Sequence, residues 1–287
     1  MPKQRTTGQT LKIAGIALIA LGALLYGVLG EPDENPAAFL GVFVVLAGIV
    51  VHFRGRQHAA RARAQGPESP LSDSKPDVLY LRSFRTDPSS KFKVLQSGLS
   101  TEEEQLADVL RPFGDLIAIG QPGEPLPIPG ATRMYVSDSE WKNLVLDRMR
   151  SAPLVVIRAG TSAGLLWEFG QAVAVLSPQR LLVLVLDIAV REYAEFAEQV
   201  RADLGLILPA LEPFSRLSTL TDYRKNPSKV RPGFIRFSSG WIPEFLPMPS
   251  STVSIGYNDL KKSFNLALRP VFEESGAAWR PVGRFGG

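Results

Sequence analysis

The chain has 287 residues, of which 45% are hydrophobic and 21% are charged. This length and composition exclude an intrinsically disordered protein and suffice for one or two folded domains. There is no cysteine, which excludes a disulfide framework and a thiolate metal site. The whole net charge of +4 lies in residues 1–63, and residues 64–287 hold 25 basic and 25 acidic side chains. The charge therefore gives no reason to expect nucleic acid as a partner.

Histidine usage narrows the possible chemistry further. The two histidines, His52 and His58, both lie in the N-terminal segment. Residues 64–287 therefore lack the side chains for a Ser-His or Cys-His nucleophile pair, a His-ligated zinc or a kinase catalytic loop. Chemistry in this part must come from carboxylates, hydroxyls, Arg, Lys or the backbone, and we expect neither a metal site nor a cofactor.

Two uncharged apolar stretches of 17 residues begin the chain, at residues 13–29 (IAGIALIALGALLYGVL) and 37–53 (AAFLGVFVVLAGIVVHF). As helices each is about 26 Å long, the lower limit for a bilayer core. A polar turn with two prolines, residues 30–36, separates them, and Lys and Arg flank their outer ends. The pattern predicts a transmembrane hairpin over residues 1–53, in the plasma (inner) membrane with both chain termini cytoplasmic.

A cleaved signal peptide and a buried core hairpin are the alternatives. A signal peptide has a shorter apolar region than residues 13–29, and a small-x-small cleavage site follows it; residues 27–31 offer no persuasive site of this kind. A core hairpin tolerates polar residues on one face, but neither stretch has a polar face. Neither stretch has an ionisable residue in its apolar core, so we interpret the hairpin as an anchor. Glycines recur at heptad spacing in both stretches and allow close helix packing: Gly15, Gly22, Gly41 and Gly48.

A basic juxtamembrane segment and linker is predicted at residues 54–76, whose first part continues the second helix, and a flexible tail at residues 276–287. Between them, over residues 77–275, apolar runs alternate with helical patterns. The predicted strands are residues 77–83, 115–119, 153–158, 180–187 and 233–237. The predicted helices are residues 101–113, 138–151, 164–176, 188–204 and 258–274.

The strands are apolar throughout, as are parallel strands covered on both faces. We therefore expect an α/β domain with a flavodoxin-like, doubly wound, five-stranded parallel sheet in the order 2-1-3-4-5. Ligands bind such a sheet beyond the carboxyl ends of its strands, at the switch point between the first and third. That rule selects residues 82–87 and 159–164, neither of which has the glycine pattern of a dinucleotide-binding loop or a P-loop.

The second of these loops leads into AGTSAGLLWEFGQA, residues 159–172. A small-residue loop with hydroxyls opens a helix, whose first amides favour an anion such as phosphate. Glu168 follows about one turn later, directly after Trp167. A carboxylate beside an aromatic ring is suited to attack or stabilise a ribosyl C1′ atom while an N-glycosidic bond breaks. Glu168 is therefore the candidate catalytic residue.

At these residues the chain resembles two related Rossmann-like groups. Nucleoside 2-deoxyribosyltransferases carry a Gly-Thr loop and then Glu-x-Gly-x-Ala, matched by Gly160-Thr161 and by residues 168–172. TIR domains have the same strand, loop and helix with a catalytic glutamate that follows a serine and a tryptophan, and the order Ser162, Trp167, Glu168 is similar. The resemblance includes VLYLRSF in the first strand and extends loosely over residues 77–190. The chain thus looks like a divergent bacterial TIR-like domain fused to a membrane anchor.

The resemblance implies an NAD(P) nucleosidase or a related nucleotide N-glycosidase in which the glutamate attacks the ribosyl centre, and a homo-oligomer. The ligand-binding candidates at the two loops and the following helix are Arg82, Ser83, Arg85, Asp87, Gly160, Thr161, Ser162 and Trp167.

Each candidate also has a purely structural interpretation. Glu168 is equally compatible with a role at the positive helix start or in an ion pair with Arg82, Arg85 or Arg158. Trp167 has the character of a core residue, and Thr161 and Ser162 have that of helix caps. Arg82 and Arg85 are suited to bind a pyrophosphate bidentately, and the structural alternative for Arg85 is a side chain that only faces solvent.

Three functions remain open on the sequence. The first is a membrane-anchored enzyme that cleaves NAD or a nucleotide. The second is a non-catalytic nucleotide-sensing or self-associating signalling domain that acts through the hairpin. In the third, weaker hypothesis the hairpin itself perturbs the membrane.

Overall fold

The computed structural model of the protein describes residues 2–29, 38–63, 76–83, 101–120, 131–135, 140–213, 229–249 and 259–282. The predicted polar turn at residues 30–36, most of the linker and the last five residues lie outside this part of the chain.

The chain begins with a pair of long apolar helices, α1 (Pro2–Leu29) and α2 (Ala38–Arg63), packed against each other as an antiparallel hairpin. Their stretches Gln9–Leu29 and Ala38–Arg56 are long and apolar enough to cross a membrane. About half of the large apolar side chains of these stretches are exposed, among them Ile13, Leu24 and Phe43. The hairpin therefore presents an apolar surface outward, unlike the core helices of a soluble domain.

The predicted glycine register forms the contact between the two helices. A Cβ atom on Gly15 would lie 2.4 Å from the backbone nitrogen of His52, and one on Gly48 would lie 2.7 Å from that of Ile19. Gly22 and Gly41 approach each other equally closely, with a Cβ on Gly22 2.7 Å from the Gly41 carbonyl oxygen. Only glycine fits where the backbones are this close, so the heptad spacing is explained by helix packing.

The rest of the described chain is an α/β structure built on one sheet. Its strands are β1 (Asp77–Leu81), β2 (Asp115–Gly120), β3 (Thr132–Tyr135), β4 (Val155–Arg158), β5 (Leu181–Val185), β6 (Gly233–Ser238) and β7 (Ile242–Pro247). The spatial order is β3-β2-β1-β4-β5-β6-β7. The pairs among the first five strands are parallel, and β6 pairs antiparallel with both β5 and β7.

The α/β class is as predicted, but the five-stranded, all-parallel, flavodoxin-like sheet is not confirmed. All five predicted strands are present and keep their predicted relative order. However, β3 extends one edge, β7 extends the other, and β6 runs against its neighbours. A three-residue loop joins β6 to β7, because Ser238 pairs with Ile242. Within it Gly240 and Trp241 have positive φ angles of 78° and 60°, which suits a tight hairpin.

Helices cover both faces of the sheet. One face carries α4 (Trp141–Ser151), α5 (Ala163–Val175) and α6 (Val190–Leu204). The other carries α3 (Glu102–Leu110), α7 (Asp259–Ala267) and α8 (Arg269–Ser275). We call these the α5 face and the α3 face. Because side chains alternate along a strand, successive residues of β1 and β4 contribute to opposite faces.

Local sequence signals account for several helix ends. A capping box forms at the start of α3, where the Glu104 amide donates to the Thr101 hydroxyl at 3.2 Å and the Thr101 amide donates to the Glu104 carboxylate at 3.0 Å. The predicted last helix is instead two helices, α7 and α8, with a proline in the first turn of α8. The first part of the predicted tail packs on α7, since the Trp279 ring nitrogen donates to the Asn265 carbonyl at 3.1 Å.

Candidate functional site

The first crossovers of the sheet define where a ligand crevice lies. The chain passes from β1 to β2 through α3 on one face, and from β4 to β5 through α5 on the other. The switch point therefore lies between β1 and β4, which are neighbours, and the crevice lies beyond their carboxyl ends. We call this side of the sheet the carboxyl edge. Every described candidate residue lies on the segments that follow these two strands or on helix α5.

Glu168 is a buried carboxyl group on α5. It is only 5% exposed and shares the inward side of the helix with Leu165, Phe169 and Ala172. Among the described residues, no hydrogen bond or ion pair to this carboxylate is formed. Burial raises the pKa of Glu168 to about 8, because an apolar environment disfavours the charged form. One structural interpretation of Glu168 is an ion pair with Arg82 or Arg158. Neither of these pairs forms among the described residues.

The loop before α5 is compact and its hydroxyls stand at the start of the helix. Gly160 is buried, and a Cβ there would lie 3.2 Å from the Leu165 side chain. Ser162 is the N-cap residue, but its side chain makes no capping hydrogen bond. Thr161 and Ser162 are half-buried, whereas the first two helical residues, Ala163 and Gly164, are exposed. The amides of this first turn thus lie at the surface of the carboxyl edge.

The Trp167 ring is packed against neighbouring side chains, so only part of its surface is available to a ligand. Its ring meets the Trp141 ring edge to face, with centroids 4.8 Å apart. The Lys142 ammonium lies 5.1 Å from the centroid of the Trp167 ring, a cation–π distance. Trp141 and Lys142 begin α4, so this contact joins the starts of two neighbouring helices and screens one side of Glu168's helix from solvent.

Arg82 and Arg158 point to the α3 face, where both meet glutamates of α3. The Arg82 Nε lies 3.1 Å from the Glu103 carboxylate, and the Arg158 Nη1 lies 2.8 Å from the Glu102 carboxylate. Burial lowers the pKa of Arg158, but the interactions with Glu102 and Tyr80 outweigh it and raise the pKa overall. The same guanidinium also donates to the Leu186 carbonyl at 3.1 Å. These arginines are structural parts of an ionic cluster.

The sheet therefore separates the predicted catalytic residue from two cations predicted beside it. Glu168 lies on the α5 face, while Arg82 and Arg158 contact α3 on the other face. The reason is the period-two alternation of strand side chains: Leu81 and Ile157 belong to the core of the α5 face, and the residue that follows each of them points the opposite way. Only beyond the carboxyl ends of β1 and β4 is a single ligand able to reach both sides.

The remaining candidates of the first loop are only partly covered. Ser83 is half-buried after the end of β1. Arg85 and Asp87 lie outside the described residues. The structure thus brings together Gly160, Thr161, Ser162, Trp167 and Glu168 on one short segment, with Arg82 across the sheet.

Sequence reasoning did not assign roles to two groups at this edge. The first is Glu102 and Glu103, which lie in the predicted helix 101–113 and pair with Arg158 and Arg82; acidic residues in a first helical turn are favoured by the helix dipole alone, so the sequence carried no signal for these ion pairs. The second group is Asp187, which follows β5 in a left-handed conformation with φ of 57° and forms an ion pair with Lys229. A non-glycine residue with positive φ is uncommon and marks a constrained position.

The arrangement permits carboxyl chemistry. Within the described ranges, no group of three His, Asp or Glu side chains is placed to hold a metal ion. A buried carboxyl with a raised pKa is protonated at neutral pH and becomes a carboxylate when a positive charge approaches.

Comparisons of the chain with protein-family models, curated proteins and solved structures found no match. The TIR-like and deoxyribosyltransferase-like resemblance therefore stays a prediction.

Proposed function

We propose that the protein is a membrane-anchored, TIR-like enzyme that cleaves the N-glycosidic bond of NAD or a related nucleotide, with Glu168 as the catalytic residue. The observation that carries the proposal is the Glu168 carboxyl itself. It is 5% exposed, unpaired among the described residues and has a pKa raised to about 8. A perturbed, buried carboxyl near the switch point of a doubly wound sheet is a feature of functional sites.

The chemistry of a pyridinium nucleotide matches such a group. The bound substrate brings a positive nicotinamide ring, which favours the carboxylate form of Glu168 and releases its proton. The bond between C1′ and the ring nitrogen breaks with its electron pair going to nitrogen, so the ring becomes neutral. The ribosyl carbon gains positive charge, which the carboxylate stabilises or traps as an ester. Water then supplies the hydroxyl at C1′, and its remaining proton passes to Glu168 or to solvent.

Anchoring rests on the hairpin. Two adjacent helices are each long and apolar enough to cross a membrane, and their exposed surface is apolar. We propose a two-span protein of the plasma (inner) membrane with both termini in the cytoplasm. The basic residues that precede the first span and those at residues 54–63 lie at the same end of the hairpin, and basic residues favour the cytoplasmic side. The α/β part then acts on the cytoplasmic side, as a homo-oligomer if it follows other TIR-like domains.

A non-catalytic function is the second candidate, and a specific observation favours it. Arg56 of α2 forms an ion pair with Glu104 of α3, so the hairpin contacts α3. The two preceding glutamates of α3 pair with Arg82 and Arg158. In this hypothesis the crevice binds a nucleotide, or the domain self-associates, and the signal passes to the hairpin through α3.

The two hypotheses are distinguished with the full chain in nanodiscs. Nicotinamide release from NAD and base release from nucleosides are followed by chromatography over a range of protein concentrations. Activity that disappears in Glu168→Gln and survives in Glu192→Gln, an exposed glutamate of α6, supports the enzyme. Equal activity in Glu168→Gln removes Glu168 from the mechanism. Nucleotide binding without turnover at every concentration supports the sensor.

A further inference from the structure

We propose that the carboxyl edge of the sheet is held against the membrane surface, so that the candidate site opens toward the lipid headgroups rather than toward the bulk cytosol. This inference rests on the anchoring part of the proposed function and is independent of catalysis. It follows from three successive contacts that connect the end of the membrane hairpin to the ends of β1 and β4.

The first contact locates the membrane surface on the hairpin. The apolar stretches are Gln9–Leu29 and Ala38–Arg56, so their N-terminal and C-terminal limits, respectively, mark one bilayer surface. At this level the His52 Nδ1 donates to the Lys12 backbone carbonyl at 3.1 Å, which ties the two helices together. Lys12 and Arg56 lie near the boundary, where basic side chains contact phosphate headgroups.

The second contact joins this boundary to α3. Arg56 and Glu104 form an ion pair in which their side chains are 11% and 24% exposed. Glu104 has little freedom to move, because it also accepts the Thr101 amide hydrogen in the capping box. The start of α3 therefore lies within one arginine side chain of the membrane boundary. Helix α2 also contacts β3, the edge strand on this side of the sheet, which is a second point of attachment.

The third contact joins the start of α3 to the carboxyl edge. Glu103 pairs with Arg82 directly after β1, and Glu102 pairs with Arg158 at the end of β4. Parallel strands end on the same side of a sheet, so the edge that carries the candidate site is the edge nearest Arg56. The amino ends of the strands are directed away from the membrane boundary.

The consequence concerns access. A ligand that enters the crevice passes through the headgroup layer or along its surface, which favours ligands that are concentrated there. Three arginines converge on one turn of α3, one from α2, one directly after β1 and one at the end of β4, and α3 supplies three carboxylates. The charges of these six side chains cancel, so this described cluster neither attracts nor repels anionic lipids strongly.

Helix α5 provides a matched pair of positions for the test. Ala163 begins α5 at the carboxyl edge, and Ser177 follows its end at the amino edge; both are exposed. The 13 residues of α5 separate the two ends by about 20 Å. Because the chain has no cysteine, Ala163→Cys and Ser177→Cys each carry a single thiol for a fluorophore without any background labelling.

Each labelled full-length variant is reconstituted in phosphatidylcholine and phosphatidylglycerol vesicles that contain a headgroup-linked quencher. We expect at least threefold stronger quenching at position 163 than at 177, and the reverse order with a water-soluble quencher. Equal quenching, or stronger quenching at 177, overturns the inference while anchoring stands. Failure of the protein to float with the vesicles overturns the anchoring itself, and hence the inference too.

A second substitution tests the Arg56–Glu104 ion pair. Adding Arg56→Gln is expected to reduce the difference in quenching between positions 163 and 177, whereas Arg201→Gln on α6 is expected to preserve it. An unchanged difference with Arg56→Gln contradicts the role of this ion pair.

Discussion

The Glu102 carboxylate lies 2.8 Å from the Nη1 of Arg158 and holds this arginine on the α3 face of the sheet. The contact connects the first turn of α3 to the end of β4, on either side of the crevice. Since Arg158 is committed to this pair, Glu168 on the other face keeps no described cationic partner. Burial therefore raises the pKa of Glu168 with no described cation to offset it.

Loss of this pair is expected to destabilise the protein. Glu102→Gln leaves the Arg158 guanidinium, 16% exposed, without its charge partner, and we expect the free energy of unfolding to fall by about 1–3 kcal/mol. Chemical denaturation of the full chain in detergent, followed by tryptophan fluorescence, measures the change. The control is Glu198→Gln, whose partner Arg201 is 57% exposed; water screens this surface pair, so its loss is expected to have a much smaller effect. Equal effects of the two substitutions would contradict a special role for Glu102.

Glu168 is expected to make stability depend on pH. In the folded protein the Glu168 carboxyl stays protonated up to about pH 8, whereas in the unfolded chain it loses its proton near pH 4.5. The unfolded state therefore binds fewer protons between these values, and stability from this group falls as pH rises, by up to about 1.4 kcal/mol per pH unit. Glu168→Gln removes this loss, so its stability relative to the natural chain should increase from pH 5 to pH 8.

The measurement is the difference in unfolding free energy between Glu168→Gln and the natural chain at three pH values. Taking the difference cancels the titration of all other groups. Glu192→Gln is the matched control for the loss of a carboxyl group, because Glu192 is an exposed glutamate of α6. A flat profile for Glu168→Gln would show that the carboxyl is ionised in the folded protein.

The glycines of the hairpin contact are expected to be intolerant of a single methyl group. Gly48→Ala places a Cβ 2.7 Å from the Ile19 nitrogen, whereas nothing lies within 4 Å of a Cβ at Gly27. We expect Gly48→Ala to lower the stability of the hairpin by about 1–3 kcal/mol, as overpacking does. Gly27→Ala should be neutral or slightly stabilising, because alanine favours helix. Thermal unfolding in detergent, followed by circular dichroism, compares the two; equal melting temperatures would argue against this interface.

The contact between α2 and α3 is accessible to cross-linking. In the cysteine-free chain, Arg56→Cys with Glu104→Cys introduces two thiols at the ion pair, and a short bismaleimide should link them efficiently within one chain. Arg56→Cys with Glu198→Cys, on the opposite face of the sheet, should not be linked. The product is read as a shift in electrophoretic mobility after proteolysis between the two positions. Similar yields from both pairs would contradict the docking of the hairpin on α3.

Several parts of this structure follow from local signals. The hairpin helices, the heptad glycines between them, the Thr101–Glu104 capping box and all five predicted strands are encoded in stretches of fewer than thirty residues. Strand β7 was missed because its prolines, Pro243 and Pro247, are typical of non-strand segments. The Ser-Gly turn before it was the signal that predicts a hairpin. Pro247 is accommodated because β7 is an edge strand.

The sequence by itself determined the apolar hairpin, the confinement of net charge to residues 1–63, the α/β class and the absence of cysteine and histidine chemistry from residues 64–287. The tertiary structure alone decided that β6 runs antiparallel, that Arg82 and Arg158 pair with Glu103 and Glu102, and that Glu168 lies across the sheet without a described partner. The reason is physical. Helix and strand formation depend on neighbours along the chain, whereas strand direction, burial and ion pairing depend on which distant segments the packed core brings together.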